Sequence, residues 1–184
     1  MRGDHDLVRS AKAAPEGLIY ILASTGQCHF LAERSAMAIP KRIPIKRIVG
    51  YRTEYIGTWS RGQFLGNVLS QTDLVAWAGG ALINSRHWYV YLHEFDQDGN
   101  YLESTVESPG IGGEGRGAAM LLLEEWIASI PDLTYSDIAI RPFQFEHDAI
   151  TFGLIVEDGH GRDWAELYPD RLGFHDPWDG NYDT

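Results

Sequence analysis

The sequence predicts an α+β fold: a mostly antiparallel sheet of about six strands built from hairpins, with one long amphipathic helix (about 115–130) packed on one face. Three observations lead there. The stretch Arg86–Glu107, RHWYVYLHEFDQDGNYLESTVE, holds two alternating runs around one Asp-Gly pair, the pattern of a β-hairpin. Ala119, Leu122, Leu123, Trp126, Ile127 and Ile130 fall on one helical stripe, with Glu124, Glu125 and Ser129 opposite. Strand-like segments come in runs rather than alternating with helices, which separates α+β from a parallel βα design.

Taken in order, residues 1–36 have mixed composition and no clear period. They are expected to stand apart from a single domain at 37–184, either as a flexible extension or as the product of a mis-assigned start. From Met37, AIPKRIPIKR contains Pro40 and Pro44, which favour extended backbone. This basic lead-in, with Lys41, Arg42, Lys46, Arg47 and Arg52, has two available uses: docking an acidic partner, or folding back on the chain's own acidic body. Tyr51–Thr58 and Gln63–Leu69 read as strands around Ser60-Arg61-Gly62. Residues 70–85 are ambiguous, because Gly79-Gly80 breaks any helix starting near Asp73. In the Arg86–Glu107 hairpin, Trp88, Val90 and Leu92 share a face expected in the core. His87, Tyr89, Tyr91, His93 and Phe95 share the other face, whose exposure decides between a binding surface and a buried sheet. A glycine-rich loop at 110–117 precedes the helix, which Pro131 ends. Ile138–Phe145, Ile150–Glu157 and Trp164–Tyr168 are further strand candidates, and the tail Pro169–Thr184 is turn-rich.

The chain has 184 residues, enough for one well-buried domain. Its net charge of −11 argues against nucleic acid as the main partner, since that affinity depends on neutralising phosphates with Lys and Arg. One cysteine, Cys28, cannot form an internal disulfide, so a reducing, cytoplasmic location is expected. The apolar run Leu18–Ala23 falls short of a membrane span.

Several patterns invite a chemical reading. Gly110, Gly112 and Gly115 match G-x-G-x-x-G before a helix, where backbone amides could approach a phosphate. Against this, the preceding strand is a polar hairpin arm, no second βαβ unit follows, and Glu114 would face the phosphates. Asp96, Asp98 and Asn100 resemble a calcium loop, but Gly99 sits at the wrong position, and turn chemistry accounts for them. His87 and His93 are six residues apart on one strand face, about 20 Å and too far for one metal ion. His160, Asp163, His175, Asp176 and Asp179 gather imidazoles and carboxylates without motif spacing. No catalytic residue, metal site or cofactor is expected. Tyr89, Tyr91, His93 and Trp178 are the candidate interface residues.

Three passages carry a family resemblance: IPKRIPIKRIVGYRTEYIG at Ile39–Gly57, YSDIAIRPFQFEHDAITFGL at Tyr135–Leu154 and ELYPDRLGFHDPWDGNYDT at Glu166–Thr184. Together they resemble a family of actinobacterial-type proteins labelled formate hydrogenlyase regulatory protein. The resemblance implies a non-enzymatic regulator and brings no catalytic residues with it. The expected function is therefore a regulatory or protein-binding domain whose partner is another protein rather than nucleic acid or membrane. The alternative is a small-ligand or nucleotide-binding protein, or an enzyme, using the glycine-rich loop or the C-terminal His/Asp residues.

Overall fold

The computed structural model describes residues 38–78, 81–157 and 163–184, with backbone alone for 72–78 and 81–85. The expectation for residues 1–36 lies outside the described residues, as does His160. The fold is α+β with mostly antiparallel sheets. Its strands are β1 (Ile43–Ile45), β2 (Tyr55–Trp59), β3 (Gly62–Ala78), β4 (Ala81–Phe95) and β5 (Tyr101–Ile111), then, after helix α1 (Gly112–Ala128), β6 (Thr134–Tyr135), β7 (Ile138–Ile140), β8 (Phe143–His147), β9 (Ile150–Glu157), β10 (Trp164–Tyr168) and β11 (Leu172–His175). Among the described residues there are eleven strands, more than the six or so expected. The ambiguous 70–85 stretch lies largely in β3 and β4, and Arg141-Pro142 divides the expected Ile138–Phe145 strand in two, because proline lacks the ladder donor. Among the described residues no helix is long and apolar enough to cross a membrane.

The strands form a five-stranded sheet ordered β5-β4-β3-β2-β6, a four-stranded sheet ordered β11-β10-β9-β8, and the β1-β7 pair. Period-2 alternation sends β4 side chains two ways. Val90 and Leu92, with Phe64 of β3, meet Ala119, Leu123 and Ile127 of α1 in one core. Tyr89, Tyr91 and Phe95 enter a second core with Phe152, Leu154, Leu167 and Phe174 of the four-stranded sheet. Ile43, Ile45, Ile138 and Ile140 of the small sheet complete that core. The central sheet is thus covered on both faces, giving a helix–sheet–sheet arrangement.

The glycine-rich run is not a loop. Gly110 is the penultimate residue of β5, which ends at Ile111, and Gly112 opens α1 with φ +74, so the helix starts three residues before its expected boundary. A Cβ on Gly115 would lie 2.7 Å from Trp88 Cδ1 and 2.8 Å from the Gly110 carbonyl carbon. The two glycines therefore let strand and helix backbones meet, and Trp88 Nε1 donates to the Gly112 carbonyl at 2.7 Å. The β4–β5 connection spans Asp96–Asn100 rather than a two-residue turn. Asp96 organises it by accepting from the Asp98 and Asn100 amides, both at 2.8 Å.

The basic lead-in folds back on the body. Arg42 Nε donates to the Ala139 carbonyl at 3.1 Å, Arg47 Nε to the Glu54 carbonyl at 2.8 Å, and Lys46 pairs with Asp179 at 3.5 Å. Arg52 donates to the Asp170 carbonyl.

Candidate functional site

The predicted aromatic interface is corrected by the second sheet. Tyr91 and His93 are 0% exposed, and Tyr89 and Trp178 are 8% exposed, so none offers a free anchor. The alternation was legible, but the four-stranded sheet that covers this face lies far downstream in sequence. His93 stacks on Tyr91, with ring centres 4.5 Å apart, and Phe143, Phe145 and Phe152 lie edge-on to it. Its Nδ1 pairs with Ser104 Oγ at 2.7 Å while Nε2 is buried without a partner. Burial depresses its pKa to about 3, leaving the ring neutral near pH 7.

Beside it lies a polar cluster that residue patterns alone do not reveal. Asp170, in the turn between β10 and β11, accepts from the Tyr91 hydroxyl and, at 3.1 Å, from Asn67 Nδ2. Burial raises the Asp170 carboxyl, opposed by the Tyr91 and Asn67 hydrogen bonds and by the Arg52 charge. Burial, followed by the Asp170 charge, raises the Tyr91 phenol well above its ordinary range. With its acceptor filled from two strands of the other sheet, Asp170 is a clamp between sheets.

Outside this cluster a cleft of about 600 Å³ opens between Gln71 and Tyr89 on one side and Asp148, Thr151, Tyr168 and Arg171 on the other. Arg171 is committed to Glu166 at 2.5 Å and lies over the Tyr168 ring at 4.9 Å. Tyr168 in turn donates to Glu157, which raises its phenol to about 12.

The other candidates are dispersed. His175 Nε2 pairs with Asp183 at 2.9 Å and its ring stacks on Trp164, whereas Asp179 orders its own turn by accepting from Asn181. Among the described residues no group of three or more His, Cys, Asp or Glu side chains is placed to hold a metal ion. Gly110 and Gly115 face each other, so the space between them is taken by their own backbones.

The hairpin of β3 and β4 has the most unusual geometry. Pairing of β2 with β3 reaches Gly66, and pairing of β5 with β4 reaches His87. The β3–β4 ladder nevertheless continues through Thr72↔Arg86 and Val75↔Ile83 to Ala78↔Ala81. Among the described residues, this distal stretch pairs with no third strand. Its sequence, TDLVAWA followed by ALINS, is mainly apolar.

Comparisons with known proteins add no relative: no family model, no curated protein and no solved structure matches the chain.

Proposed function

We propose that this protein acts by binding another protein, as a regulator, and that the distal β3–β4 arm is its recognition element. The single observation that carries this reading is a two-stranded ladder of apolar composition running beyond both neighbouring strands. An isolated two-stranded ribbon is marginal in water, and its open edges are templates for pairing with another chain. A partner strand or groove would satisfy both needs. The resemblance to the formate hydrogenlyase regulatory family agrees with a regulator that works by association.

The test is a variant in which residues 73–85 are replaced by Asn-Gly, so that Thr72 and Arg86 still close the hairpin. The tagged full chain is expected to recover a stoichiometric partner from native lysate, and the shortened chain to recover none while melting at a similar temperature. Equal recovery by both chains would sink the arm as the recognition element.

One observation favours a second reading, a small-ligand protein: the 600 Å³ cleft at the foot of the arm has the size of a small-molecule site. Thermal shift against nucleotides, sugars and divalent metals would detect it, and uniform silence would count against it.

A further inference from the structure

A second, smaller crevice of about 330 Å³ lies at the β6 edge of the five-stranded sheet, where the end of α1 meets β2 and β6. Its walls include Ile127, Ala128, Ile130 and Leu133, with the Tyr55 and Tyr135 rings and the Glu124 carboxylate completing the lining. Glu124 is the one charged side chain in that lining, and no cation among the described residues lines it. The Tyr135 ring already carries one cation, the Arg47 guanidinium at 4.6 Å from its centre, which leaves the Tyr55 ring as the aromatic partner for a second. Burial and then the Glu54 and Glu124 charges raise the Tyr55 phenol, so carboxylate fields reach into the crevice.

We propose that this crevice is a docking site for a lysine side chain of the protein partner, with its four-carbon stem against the apolar wall and its ammonium between Glu124 and the Tyr55 ring. The proposal rests on the reading that the protein binds another protein. Three observations favour this occupant. An aliphatic stem with a cationic head matches a lining of apolar side chains with one carboxylate. The Tyr55 ring, close enough to feel the Glu124 charge, adds cation–π attraction. The chain's net charge of −11 draws basic surfaces and repels acidic ones, including a second copy of itself.

Nα-acetyl-lysine amide and its neutral analogue Nα-acetyl-norleucine amide separate the charge from the stem. Titrated into the ¹⁵N-labelled full chain, the lysine probe is expected to shift the amides of Tyr55, Ile127, Ala128 and Tyr135 saturably, and to bind about threefold or more tightly than norleucine. Glu124→Gln, a change at an exposed position, should reduce that preference and leave norleucine binding unchanged. Ala128→Leu, also at an exposed position, should fill the crevice and block both probes. Equal binding of the two probes, shifts elsewhere, no shifts, or a preference undiminished by Glu124→Gln would each overturn the site. These outcomes are separate from the arm test: partner recovery that depends on residues 73–85 can persist when the lysine preference fails, and the reverse pattern removes the arm alone.

Discussion

The Tyr91 hydroxyl donates to the Asp170 carboxylate across the junction of the two larger sheets, joining residues 79 positions apart in sequence. Both side chains are buried, so removing the phenolic oxygen leaves the carboxylate with one donor fewer in a dry environment. Tyr91→Phe is expected to cost about 1–3 kcal/mol in urea unfolding. Combining it with Asp170→Asn should give a coupling energy of about 1 kcal/mol or more. A coupling near zero would mean that the clamp carries no energy.

His93 makes the acid side of the stability curve steeper. Its folded pKa, depressed by burial to about 3, lies below the ordinary value, so the unfolded chain binds the extra proton first. Stability is unaffected by this group above the ordinary histidine range and is lost as pH falls toward the folded value. The slope is about 1.4 kcal/mol per pH unit. Asp170 acts with the opposite sign: burial raises its folded pKa, so its contribution is present at low pH and declines as pH rises through that value. His93→Phe isolates the histidine effect, because phenylalanine suits the aromatic surroundings and Asp170 is unchanged. The gap between the two proteins in denaturant midpoint should close as pH rises toward neutrality and open in favour of the variant on acidification. A gap independent of pH would refute the assignment.

These two buried groups mark where sequence reading reached and where it stopped. Alternation along β4 placed Trp88, Val90 and Leu92 together toward the helix, and the α1 stripe named Ala119, Leu123 and Ile127, as their shared core confirms. The same alternation put Tyr91 and His93 on one face but carried no information about what lay over it. That depended on strands β8 to β11, whose pairing with one another is long-range relative to β4. Asp170 sits in Tyr-Pro-Asp-Arg, which reads locally as a turn, and only the folded chain brings Asn67 and Tyr91 to it. The break at Pro142 was available from proline chemistry. Neither Tyr55 nor Glu124 stood out as part of a site, since each fits an ordinary strand or helix surface.

The glycine run that opens α1 yields a paired prediction that separates packing from ligand binding. Gly115→Ala would push a methyl into Trp88 and the Gly110 backbone, at an expected cost of about 1–3 kcal/mol without any ligand. Gly117→Ala meets nothing within 4 Å and sits inside α1, so it should stabilise by about 0.5–1 kcal/mol through helix propensity. Thermal or urea unfolding of the two single variants checks both signs. Loss of stability at both positions would show that the run has a role beyond the Gly110–Gly115 contact.

The basic lead-in allows a test of which internal contacts matter. Lys46 and Asp179 form an ion pair between side chains that are 40% and 46% exposed, so Lys46→Ala should change stability by less than about 0.5 kcal/mol, and less still in concentrated salt. Arg47 differs in kind: its side-chain Nε donates to the Glu54 carbonyl at 2.8 Å and its guanidinium lies over Tyr135. Arg47→Ala is therefore expected to cost about 1–2 kcal/mol, largely retained in salt because hydrogen bonding and ring contact are short-ranged. Arg47→Lys should recover only part of that loss, since an ammonium cannot reproduce the planar donor arrangement. Full recovery by lysine would reduce the role of Arg47 to its charge, and the lead-in would then be held by general attraction to the acidic body.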